Sequence, residues 1–114
     1  MLSAEVRTTG EAAVIDLHGD IVGAADDVLT GAYEQAAAAG IGAVVLNFHD
    51  VSYMNSTGIA LVVGMLAMAR KAGLDVRAYG LSDHYKEIFE ITRLADFVGI
   101  FPDEQSAVAE AATS

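Results

Sequence analysis

The run "IGAVVLNF", residues 41–48, constrains this chain most. It is almost continuously apolar, rich in β-branched residues and too short for a buried helix, so it reads as a strand covered on both faces. Such a strand belongs inside a parallel sheet with helices packed over it. The flanking sequence supplies both. "AEVRTT" (4–9) and "AAVIDLHG" (12–19) alternate as a strand pair turning at Gly10-Glu11. Residues 24–39 carry Val28, Ala32 and Gln35 or Ala36 at helical spacing, with Gly40 as the closing cap. A second helix spans 56–72 and stops at Gly73, followed by the strand "LDVRAYGL" (74–81). Residues 82–91 open on Ser82, a good N-cap, and put Tyr85, Ile88 and Phe89 on one helical face. "FVGIF" (97–101) is a short strand, and the final helix starts with Pro102 in its first turn. The order is ββαβαβαβα: an α/β fold with a mainly parallel sheet of four or five strands, helices mostly on one face, and one domain over 1–114.

Composition removes several function classes. The chain has 114 residues, a hydrophobic fraction of 54% and one proline, which argues for a packed core and against disorder. Its formal charge of −10 repels phosphate backbones, so direct nucleic-acid binding is not expected. With no cysteine, disulfides, thiolate metal sites and cysteine nucleophiles are excluded. The N-terminal "MLSAEVRTTG" lacks the pattern of a secretory leader, and "GIALVVGMLAMA" is too short to span a bilayer, so a cytoplasmic address is expected. His18, His49 and His84 fall on different elements with no ligand spacing, so no metal site is expected. Asp26, Asp27, Asp103 and Glu104 read as solvated helix-start residues.

Chemistry concentrates in residues 49–58, where the buried strand gives way to the second helix. On a helical wheel Ile59, Val62, Val63 and Leu66 form the face for the sheet. Leu61, Met65 and Met68 form a second stripe, suited to packing or, if exposed, to adaptable docking. Asn55 or Ser56 is the N-cap. A capping Ser56 would satisfy a backbone N–H and do no more. The same hydroxyl, at the positive end of a helix, would also suit phosphorylation, and Gly58 would let another chain approach closely. Spacing alone fits both readings. A His49/Asp50/Ser56 hydrolase is a third, but no nucleophile-elbow pattern surrounds Ser56.

"VSYMNSTGIALVVG" resembles the signature of STAS-domain proteins, specifically bacterial anti-sigma-factor antagonists. "LHGDI", "LDVRAYGL" and "IFPDEQSAVA" are also of that family's kind, so the resemblance runs over nearly the whole chain. It implies that Ser56 (alternatively Thr57) is a phosphate acceptor, with Asn55, Thr57, Gly58, Leu61 and Met65 as motif and partner-contact positions. The implied partners are an anti-sigma factor that is also an ATP–Mg²⁺-dependent serine kinase, and a PP2C-type phosphatase. No catalysis, cofactor or membrane partner is implied, and weak self-association is left open. The alternative within the family is a scaffold or transport-associated subunit in which Ser56 only caps. Two positions depart from the pattern: Asn55 replaces the motif aspartate, and Val22 stands where an acid often follows the second strand.

Overall fold

The structure, a computed structural model, describes residues 1–10, 12–39 and 42–113, with side chains through residue 109. Of the expected features, Glu11 of the hairpin turn, the Gly40 cap and Ile41 lie outside the described residues. The elements are β1 (Ser3–Thr9), β2 (Ala12–Ile21), α1 (Asp26–Ala38), β3 (Ala43–Met54), α2 (Ser56–Lys71), β4 (Asp75–Tyr79), α3 (Asp83–Ile91), β5 (Gly99–Phe101) and α4 (Glu104–Thr113). Single 3-10 turns lie at Gly23–Ala25 and Leu94–Asp96.

The strands lie side by side in chain order; β1 is antiparallel to β2 and every later pair is parallel. Each parallel step moves one place in the same direction. Right-handed crossovers therefore put α1, α2 and α3 on one face. The two phases of each strand sort accordingly. Ala13, Ile15 and Leu17 of β2 with Val44, Leu46 and Phe48 of β3 share the main core with residues of those three helices. Phe48 meets Phe89 of α3 edge-on at 6.0 Å. The other phase, Ala12, Val14, Ala43 and Val45, packs under Ala107 of α4. The first half of β3 is thus buried on both faces, as its composition requires.

Two boundaries differ from the sequence reading. β3 continues past residue 48 to Met54, because its polar second half still pairs with the end of β2 through two register shifts. Pro102 precedes α4 instead of entering its first turn; the next residue, Asp103, accepts the Ser106 N–H at 2.8 Å and acts as the cap. That hydrogen bond holds the Asp103 carboxyl below the usual range.

α2 is rotated relative to the expected face. It buries Gly58, Val62, Met65, Leu66 and Ala69. Val62 and Leu66 were expected there, but Ile59 is only half-buried and Val63 is 42% exposed. Met65, expected on the opposite stripe, is 4% exposed, while Met68 stays 44% exposed. The shift is less than one residue step of about 100°. Its cause is that α2 packs against α1 as well as the sheet, so its buried arc faces both. The helix ends as expected: Gly73 adopts φ +76°, its N–H bonds Arg70 C=O, and Leu74 N–H reaches Ala69 C=O.

Candidate functional site

The β3–α2 junction is built around Asn55. Its backbone is extended (φ −93°, ψ 178°), and its Oδ1 accepts the Gly58 N–H at 2.8 Å while its carbonyl accepts the Ile59 N–H at 2.9 Å. Its own N–H donates to Ile21 C=O at 3.3 Å, tying the start of α2 to the end of β2. Of the two residues that could cap the helix, Asn55 does so.

Ser56 is thereby released from that duty. It is the first residue of α2, it is exposed, and its hydroxyl makes no hydrogen bond among the described residues. Thr57 beside it is exposed too. The first turn carries no acidic side chain, so the helix dipole there is not offset. The motif glycine is required on steric grounds, since a Cβ on Gly58 would lie 1.7 Å from Ile21 O. The chain that Gly58 admits is the protein's own β2, not a second molecule.

Behind the motif, Tyr85 of α3 fixes the last residue of β3. Its buried hydroxyl accepts the Met54 N–H at 2.8 Å. Sequence reasoning places Tyr85 on the apolar face of its helix and misses this bond; the only signal is a phenol sharing that face with Ile88 and Phe89. Of the other motif and contact positions, Leu61 is half-buried, and the burial of Met65 removes its side chain from any partner surface. Val22, the position that departs from the acidic pattern, is half-buried, and its N lies 3.1 Å from the position of a Cβ on Gly58.

The histidines are less scattered than their positions suggest. Because β2 and β3 are neighbours, His18 Nδ1 lies 2.9 Å from Asp50 Oδ2 and His49 Nδ1 lies 3.1 Å from Asp50 Oδ1. The two rings hold the Asp50 carboxyl below its usual range, His49 contributing most. Both rings face Asp50, and neither hydrogen-bonds Ser56 among the described residues. Among the described residues no group of three or more His, Cys, Asp or Glu side chains could hold a metal ion. Glu104 is not merely a solvated helix-start residue: it pairs with Arg7 and accepts from the Tyr79 hydroxyl at 2.8 Å.

Residues 3–107 match the family model described as the STAS domain. The chain belongs to the STAS family. The anti-sigma-B factor antagonist of Bacillus subtilis is 37% identical to this STAS domain over 59 residues, covering 52% of this chain and 54% of that protein. The STAS chain thus spans about half the length of the curated relatives it matches. An anti-sigma factor antagonist from Mycobacterium paratuberculosis superposes with a TM-score of 0.77 at 18% identity, covering 97% of this chain and 94% of that one. The Bacillus cell fate determinant SpoIIAA in its phosphorylated form superposes with a TM-score of 0.71 at 21% identity, covering 95% and 98%. Both agree with the five-stranded STAS architecture. No helix among the described residues is long and apolar enough to cross a membrane.

Proposed function

We propose that this STAS domain is an anti-sigma-factor antagonist, a binding module switched by phosphorylation of Ser56. Unphosphorylated, it engages an anti-sigma factor that is also a serine kinase. The kinase moves the γ-phosphoryl group of ATP–Mg²⁺ to Ser56 Oγ; the serine proton is taken up by a base of the kinase, and ADP leaves. The phosphoserine then adds nearly two negative charges at the contact, and the partner releases it. A PP2C-type phosphatase restores the hydroxyl by hydrolysis. The STAS domain is substrate and ligand throughout, not catalyst.

The observation that carries this reading is the division of labour at the helix start. Asn55 caps, which leaves the Ser56 hydroxyl exposed and unengaged. The names of the curated relatives support the class of partner. Asn55 supplies the capping oxygen of the family aspartate without its charge, so a kinase that reads that carboxylate loses a contact here.

Intact-mass measurement after incubation with ATP–Mg²⁺ and the cognate kinase tests this. One phosphoryl group is expected on wild type and none on Ser56→Ala. Phosphate on Thr57 would move the switch by one residue; no incorporation would leave a STAS scaffold.

A further inference from the structure

A groove of about 720 Å³ runs along the exposed side of α2, between that helix and the Thr92–Phe97 segment leading to β5. Ile59, Val63 and Ala67 form one wall, and Leu94 and Phe97 form the other. Ser56 lies at one end; Arg70 and Lys71 lie at the other, roughly 21 Å along a helix rising about 1.5 Å per residue. The volume falls in the range of small-molecule sites, and Val63 and Phe97 are 42% and 51% exposed along it.

The charged end distinguishes this groove from an ordinary packing defect. The chain has only six Lys and Arg residues against sixteen acids. Arg7, Arg77 and Arg93 are each paired with a carboxylate. Arg70 and Lys71, like Lys86 of α3, have no carboxylate partner among the described residues, and the Arg70 guanidinium sits 4.9 Å above the Phe97 ring. Bases in the last turn of a helix complement its dipole, which accounts for their presence there. It does not account for an apolar trough leading away from them. A second copy of this chain bears the same charge of −10, which opposes self-association.

We infer that the groove binds an anionic single-chain amphiphile of the fatty-acid class. Its carboxylate pairs with Arg70 and Lys71, and its tail lies along Ile59, Val63, Ala67 and Phe97. Apolar burial holds the chain in place, and the two cations set its direction. Ser56 lies at the tail end, so an occupied groove also shields the phosphoacceptor. That consequence rests on the phosphorylation reading above; the binding itself does not.

Amide chemical-shift titration of the isotopically labelled protein with dodecanoate, below its micelle concentration, tests the inference directly. Saturable one-to-one binding is expected, with the largest shifts at residues of the groove. Dodecyltrimethylammonium, with the same tail and the opposite charge, is the control. The net charge of the protein favours that cation, whereas Arg70 and Lys71 favour the anion. Dodecanoate should bind more tightly by about tenfold or more. Ala67→Phe, which fills the trough from an exposed position, should abolish dodecanoate binding yet melt near wild type. The double variant Arg70→Glu/Lys71→Glu should weaken it by about tenfold. The inference is overturned by absence of saturable binding, by equal or tighter binding of the cation, or by shifts centred elsewhere. Concentration-dependent dimerisation abolished by Ala67→Phe would assign the groove to a second copy and overturn it equally. None of these results depends on a kinase, so they stand apart from the fate of the phosphorylation proposal.

Discussion

Gly58 and Tyr85 hold the Ser56 backbone in place without presenting a side chain to a partner. A methyl group at 58 would strike the Ile21 carbonyl, a backbone atom that cannot swing aside. Gly58→Ala should therefore cost about 1–3 kcal/mol or more in denaturant melts, since overpacking displaces α2 from the end of β2. A loss below about half a kcal/mol would mean that the helix start moves freely. Tyr85→Phe keeps the ring but leaves the buried Met54 N–H without its partner. The expected cost is about 1–3 kcal/mol, the penalty for an unsatisfied buried donor. Slowed phosphorylation of Ser56 should accompany it, because Met54 directly precedes the cap residue. An unchanged melt would show that water replaces the phenol without loss.

The order of the elements is legible because each signal is local. The apolar run at 41–48 requires a strand covered on both faces, Gly73 stops α2, and Ser82 caps α3 through the Tyr85 N–H at 3.3 Å. The rotation of α2 is not legible in the same way. A helical wheel counts apolar residues but does not register that α1 packs beside the helix, or that Gly58 must lie against Ile21. Hence the wheel points Met65 outward and Val63 inward, and in the fold both face the other way. Paired substitutions check the observed face. Leu66→Ala, at a residue 4% exposed, should lose about 2–5 kcal/mol, whereas Val63→Ala should stay within about 1 kcal/mol of wild type. Equal losses would favour the face expected from the wheel. The cap itself is narrowed by sequence to two residues and resolved only by geometry, since either side chain has a suitable oxygen.

Across the whole molecule, Arg7 joins parts of the chain that no spacing rule connects. From β1 it donates to Asp16 of β2 at 2.7 Å and to Glu104 of α4, while Asn47 of β3 donates to Asp16 at 2.8 Å. The Arg7 guanidinium is the main reason that the Asp16 and Glu104 carboxyls titrate below their usual values; burial opposes the shift at both. Such depressed groups contribute stability above the ordinary carboxylate pKa and lose it as pH falls through their folded values. Wild type should therefore lose more stability than Arg7→Gln on acidification from about pH 5 to 3, read as urea midpoints. Parallel curves would mean that solvent screens these pairs completely. The switch proposed for Ser56 lies apart from this network, at the β3–α2 junction, so a negative charge there should leave the fold intact. An acid in the first turn of α2 is worth about 0.3–1 kcal/mol in the favourable direction. The most direct measurement is the affinity of the cognate kinase for wild type, Ser56→Ala and Ser56→Asp, each verified as folded by its melt. Ser56→Ala should bind like unphosphorylated wild type, and Ser56→Asp should bind about tenfold or more weakly while melting at or slightly above it. Equal kinase affinity for wild type and Ser56→Asp would contradict a phosphorylation switch at this residue.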